Sequence, residues 1–309
     1  MRSLFRKRVQ PEGAGRLRVL LNWAASLLFL GHAWLYVFWD APFRELLWDQ
    51  ALMEPILEGL FGMSWSDFVT DLRIEARIQS FGVATGIVLG LAAALVHLPA
   101  RYHVLARPVV LLGVLILSLQ VVIGIRNGYP FWGVALEYAA RWTAPVLWLM
   151  FYKKRSLAIL FQLMRLAVAA TFIGHGLYAA GLLPLPGHFL DMSMNALGLG
   201  QGAAVSFLWF AGMMDFLSAA LLFAGGPWNR WAAVYMFLWG LSTSLARIAG
   251  HWHIAAPQML WGYWLFQAVL RAPHFLLPLA LLVLFRRRVT WPKYRPSASS
   301  PDPGVSAAE

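Results

Sequence analysis

The chain contains no cysteine. Disulfide exchange, thiol nucleophiles and thiolate metal sites are therefore excluded as its own chemistry. Covalent haem attachment falls with them. Charge is also scarce: charged residues are 13% of the chain, against about a quarter in a soluble domain. Within the long apolar runs the acids are Glu137 and Asp215, too few for a proton relay of many carboxylates. No Gly-rich phosphate loop, His-Glu-x-x-His or Gly-x-Ser-x-Gly occurs, so phosphate cradling, zincin chemistry and a nucleophile elbow have no sequence support.

What remains is apolar. Hydrophobic residues make up 60% of 309 residues, with sixteen Trp, twenty Phe and a mean hydropathy of +0.62. The expected class is an all-α polytopic membrane protein whose first partner is the lipid bilayer. The net charge of +11 does not point to nucleic acid, because the basic residues sit mainly in tails and short loops.

A span needs about 20 apolar residues. Eight stretches qualify, near 19–39, 78–98, 108–126, 137–152, 157–180, 203–224, 231–248 and 260–285. Basic clusters fall on alternate sides. Arg2 to Arg18 precede the first span, Arg101 and Arg107 follow the second, Lys153 to Arg155 follow the fourth, Arg230 the sixth, and Arg286 to Arg295 the eighth. The positive-inside rule places both termini in the cytoplasm of a bacterial inner membrane. Residues 1–18 read as a retained basic tail and 289–309 as a disordered one. The loop 40–75 is acidic, from Asp40 to Glu75, with apolar residues at helical spacing. It predicts one or two amphipathic helices on the outer surface, a platform for a redox or periplasmic protein partner. The loop 181–202, rich in proline and glycine, predicts irregular structure.

The apolar runs repeat a phrase. Phe29-Leu30-Gly31-His32 returns as Phe172-Ile173-Gly174-His175, an offset of 143. Gly82 matches Gly212 at 130, Arg126 matches Arg247 at 121, and Glu137 with Arg141 matches Gln267 with Arg271 at 130. The offset changes only across loops. Two four-helix units, 19–155 and 156–288, pointing the same way, are the expectation. Gly82, Gly86 and Gly90 form a small-residue stripe that packs on a neighbouring helix or serves as a homodimer seam.

Ionisable groups inside spans are costly and are functional candidates by default. His32, His175, Arg126, Arg247, Arg141 and Arg271 gather in the outer half, with Asp215 nearer mid-depth. Glu137 and Arg141 share a helix face, and His274 lies one turn beyond Arg271. A buried ion network that holds the bundle is one reading. An outward pocket for an anionic or quinone-like headgroup is the other, since arginine's planar fork suits carbonyl and acidic oxygens. Paired His32 and His175 could ligate one b-type haem. His251 and His253 could share a metal ion if extended.

The second unit resembles the DoxX/DoxD-like superfamily of bacterial four-helix membrane proteins. The resemblance rests on Arg165 ahead of Gly174-His175, on Gly212-x-x-Asp215, and on an arginine ending the third span. The first unit departs from it, with Thr85 where the acid is expected. The resemblance implies a redox-linked membrane role, in one branch quinone reduction, and leaves the enzyme question open. A redox- or quinone-linked subunit is the leading expectation. A transporter or lipid-binding protein using the same pocket, or a protein that docks a partner on loop 40–75, are the alternatives.

Overall fold

The computed structural model describes residues 11–127, 131–153, 156–252 and 256–286. Among these the chain is all-helical. Helix α1 covers Pro11–Phe38. Three short helices follow, α2 (Arg44–Leu47), α3 (Gln50–Ile56) and α4 (Trp65–Thr70), with a π-turn at Leu57–Phe61. Long helices α5 (Leu72–Leu95), α6 (His103–Asn127), α7 (Phe131–Tyr152) and α8 (Leu157–Ala179) come next. After α9 (Gly187–Leu197) come α10 (Gln201–Leu221) and α11 (Trp228–Ala249). The last stretch is α12 (Pro257–Met259), a π-turn at Leu260–Trp264, α13 (Leu265–Val269) and α14 (Pro273–Arg286).

Among the described residues, seven helical stretches are long and apolar enough to cross a membrane. The chain is thus a multi-pass helical membrane protein. Helix α7 is not one of the seven. Its 22 residues span about 33 Å at 1.5 Å each, but Glu137 and Arg141 interrupt its apolar run.

Helices α1, α7, α8 and α14 form the centre, with α7 touching the other three. Helices α5 and α6 cover one flank and α10 and α11 the other. Helix α1 is central because its apolar positions recur at three- and four-residue spacing: Leu17, Leu21, Ala24, Ala25, Leu28 and Phe29 are fully buried. Polar side chains tie the centre. Ser26 donates to the Ala93 carbonyl at 2.8 Å, and Trp148 and Tyr152 both donate to Asn22 Oδ1 at 3.0 Å.

Several expectations shift. Helix α1 starts at Pro11, inside the stretch expected as a tail. Loop 40–75 folds into α2–α4, and α5 begins at Leu72, capped by the Asp71 side chain. The loop is pinned by ion pairs: Arg44 to Glu75 at 2.7 Å, and Arg126 to Asp49. The glycine stripe faces α1 and the residues just after it. A Cβ at Gly86 would lie 2.7 Å from Val37, and one at Gly82 would lie 3.2 Å from Ala41. A second chain would have to displace α1 to use that seam. Loop 181–202 is not irregular, since it contains α9, ended by Gly198 at φ +66. Finally, 260–285 is not one continuous helix. Proline 273 has no N–H to offer Val269, so α13 stops there and α14 restarts at Pro273.

Candidate functional site

Helix α8 presents Thr171, Gly174 and His175 on one face, at the i, i+3, i+4 spacing that makes them neighbours. That face lies on α7 at Leu136–Ala140. The Thr171 hydroxyl donates to the Leu136 carbonyl at 3.3 Å and accepts from the Ala140 N–H at 2.8 Å. Leu136 and Ala140 are themselves i and i+4, so the hydroxyl is inserted into the α7 ladder. Glycine 174 allows the approach: a Cβ there would lie 2.8 Å from Glu137 N. Glu137 then reaches His175, with 2.8 Å between Oε1 and Nδ1.

The α13–α14 break supplies the opposite wall. It leaves Arg271 outside regular helix and turns His274 back, so that His274 Nδ1 donates to the Arg271 carbonyl at 3.0 Å. The His175 and His274 rings lie 5.3 Å apart. Gly240 permits α11 to touch this turn, for a Cβ there would meet the His274 carbonyl oxygen at 2.5 Å. Arg247, in the last turn of α11, is buried.

Between α8, α10, α11, α14 and α9 is a cavity of about 170 Å³. His175, His274, Arg247, Arg271 and Asp215 border it. Aromatic walls come from Phe172, Phe189, Phe207 and Trp239. Helix α9 covers one end with Phe189, Met192, Ser193, Ala196 and Leu197, a three- and four-residue spacing that marks a helix face. Asp215, at the other end, accepts from Tyr235 Oη at 3.1 Å. Three fully buried atoms of these residues have no protein hydrogen-bond partner: Nε of Arg247, Nε of Arg271 and Nε2 of His274.

The expected site residues therefore separate. His175, Arg247, Arg271, Asp215 and His274 share the cavity, and Glu137 joins through His175. Arg141 stacks on Tyr138, its Cζ 3.8 Å from the ring centroid. With His32 it borders a separate space of only about 10 Å³. His32 Nδ1 donates to the Leu28 carbonyl at 2.8 Å. Arg126 belongs to the ion pair with Asp49 on α3's cap. A haem between His32 and His175 does not fit, because His32 is 3% exposed and adjoins no space for a macrocycle. His251 stacks on Trp264 with ring centroids 3.3 Å apart, and His253 lies outside the described residues. Among the described residues, no group of three or more His, Asp or Glu is placed to hold a metal ion.

Phe189, Ser193, Trp239 and helix α9 as a whole are site elements the sequence reading missed. The α9 spacing was the available signal, masked by Pro184, Pro186 and Gly187 just before it. No protein-family model, curated protein or solved structure matches the chain.

Proposed function

We propose that the chain is a DoxX/DoxD-like, redox- or quinone-linked protein of the bacterial inner membrane. In this reading the cavity beside His175 binds the headgroup of a lipophilic ligand. The observation that carries it is a cavity of about 170 Å³ with aromatic walls, bordered by two arginines. An engineered apolar cavity of about 150 Å³ accepts benzene, whereas whole drug-sized ligands take about 300 Å³ or more. The cavity suits one ring, with any tail lying in lipid. A lipid-binding role through the same cavity is the second reading, favoured by the charge of Arg247 and Arg271.

The architecture belonging to this reading has eight spans in two parallel four-helix units, with both termini cytoplasmic. The pattern of helix contacts supports it. In the first unit α1 meets α5, α5 meets α6, α6 meets α7 and α7 meets α1. In the second unit α8, α10, α11 and α14 meet in the same cyclic order. Across units, α7 with α8 mirrors α14 with α1, and α7 meets α14. A two-fold axis between α7 and α14 relates these contacts. Gly31 and Gly174 support it too, since each packs on the other unit's last span, at Leu270 and at Leu136–Glu137 respectively. Spatial partners favour a different register for the second spans. Gly86 faces the Ala33 carbonyl as Gly212 faces the Gly176 carbonyl. Leu89, rather than Thr85, then corresponds to Asp215.

The test is solvent extraction of protein purified in mild detergent, followed by equilibrium dialysis of the stripped protein with a short-chain benzoquinone. The reading expects a co-purifying quinone or saturable rebinding, weakened at least about tenfold (1.4 kcal/mol) in Arg271→Gln. Saturable binding of an anionic lipid without quinone would favour the second reading. A protein that yields no lipophilic ligand and rebinds none refutes both.

A further inference from the structure

The cavity's hydrogen-bonding inventory constrains its ligand more narrowly than its size does. His274 spends its Nδ1–H on the Arg271 carbonyl, so its Nε2 carries a lone pair. That atom is buried, with its surface closed to the cavity, and has no protein donor. His175 directs Nδ1 at Glu137, which leaves Nε2 as the second nitrogen on a ring bordering the cavity. A carboxylate accepts, so the proton between them sits on Nδ1 and Nε2 becomes an acceptor. Opposite the His175 acceptor stand donors, the guanidinium N–H groups of Arg247 and Arg271, both of which border the cavity. A ligand that satisfies the set must donate a proton to an imidazole and accept from guanidinium at one polar centre. A carbonyl only accepts. A carboxylate, already ionised in water, has no proton to give. A hydroxyl on an aromatic ring does both.

The two imidazoles are not equivalent. The Nδ1 partner of His274 is a neutral carbonyl, whereas that of His175 is the Glu137 carboxylate, which stabilises an imidazolium. The charged and titratable groups around His175 are Glu137 and Arg141 from α7, Arg271 and His274 at the α13–α14 break, and His188 from α9. Only Glu137 among them favours a positive charge on His175. Asp215 is the remaining carboxylate on the cavity wall, and it is engaged by Tyr235.

We propose that the cavity binds a phenol-class ligand, a hydroquinone included, as its phenolate. The ligand's O–H bond breaks, the proton forms an N–H bond at Nε2 of His175, and the negative oxygen is held by Arg247 and Arg271. Glu137 is the positioning residue that fixes the accepting tautomer. The proton count is conserved within the complex, and no electron moves. This inference rests on the cavity being the ligand site. It adds that the reduced, hydroxyl-bearing form of a quinone-like ligand is the one recognised, in an ionised state.

The probe is 4-nitrophenol, a single ring whose phenolate absorbs visible light and whose phenol does not. Full-length protein in detergent is titrated at a pH where the free probe is mainly phenol, against a detergent blank. Equilibrium dialysis measures total binding in parallel. The expected result is saturable binding with a phenolate band. Glu137→Gln should retain binding while lowering the bound phenolate-to-phenol ratio at least about tenfold. His175→Gln should abolish the band. Saturable binding to the wild type without a band overturns the proton transfer and leaves the cavity reading standing. A band kept in His175→Gln overturns the assignment of the acceptor. Absence of saturable binding to the wild type overturns the cavity reading and this inference with it. The wild-type result is independent of how any variant folds.

Discussion

The contact between α8 and α7 at Gly174 gives the sharpest structural prediction, because a single methyl group tests it. In Gly174→Ala the new Cβ would sit 2.8 Å from Glu137 N, 2.9 Å from Leu136 Cβ and 3.1 Å from Leu136 C. Ordinary contact begins near 3.4 Å, so the helices must part by about 0.6 Å locally. Two of the three opposing atoms are backbone, and no side-chain rotation relieves them. Overpacking of this kind costs about 1–3 kcal/mol. Replacing a mid-helix glycine by alanine returns at most about 1 kcal/mol. The net expectation is a loss of about 1–2 kcal/mol in detergent unfolding. The same displacement would stretch the 2.8 Å Glu137–His175 contact beyond the range of about 2.7–3.2 Å for a good hydrogen bond. Ligand retention should fall together with stability. Gly202→Ala is the matched control. Gly202 also lies in a helix, α10, but an added Cβ there meets nothing within 4 Å. It should be neutral or stabilising by up to about 1 kcal/mol. A Gly174→Ala protein that unfolds like the wild type and keeps its ligand would refute the close approach of α7 and α8.

Three further outcomes follow from the same geometry. Gly240→Ala drives a Cβ to 2.5 Å from the His274 carbonyl oxygen, so dialysis should show headgroup binding weakened about tenfold or more as the turn carrying His274 moves. Thr171→Val removes the hydroxyl bridging Leu136 and Ala140. Buried polar contacts between membrane helices average about 0.6 kcal/mol, so a loss above about 2 kcal/mol would contradict the local role assigned to it. Arg44→Ala breaks partly exposed pairs with Glu75 and Asp40, and thermal unfolding should show a cost of at most about 1 kcal/mol that shrinks as salt is raised.

The spans were legible because bilayer thickness imposes a length on apolar runs, and seven of the eight expected stretches correspond to single long helices with shifted ends. Two elements resisted for physical reasons. Helix α9 is short and follows two prolines and a glycine, so its local composition argued for a loop while its stripe of Phe189, Met192, Ser193 and Ala196 waited for α10 and α11 to cover it. The break before Pro273 was visible as a proline, but its consequence, Arg271 and His274 aimed at a common space, depends on the tertiary packing of Gly240 against that turn. Of the expected polar set, His32, Arg141, Asp215, Arg247 and His274 are buried, whereas Arg126 lies in an exposed ion pair, and how the buried ones divide between two spaces was not legible. Sequence depth put His32 and His175 at one level, but depth carries no information about which helices separate them.

That division leaves two polar regions of very different size. Around His32 the corresponding space is filled by Leu117, Tyr138 and Trp142, leaving about 10 Å³. Around His175 it stays open to about 170 Å³. Helix α7 nevertheless contributes to the open site, because Glu137 reaches His175 on α8. In the proposed repeat Gln267 takes the place of Glu137; it carries no charge and could not hold His32 in the same way. Lacking a carboxylate there, His32 instead donates to its own helix at Leu28. Under the proposed repeat, one carboxylate present in one copy and absent from the other gives the two histidines different partners. The cavity is walled by α8, α9, α10, α11 and α14, but the group that orients its histidine comes from α7.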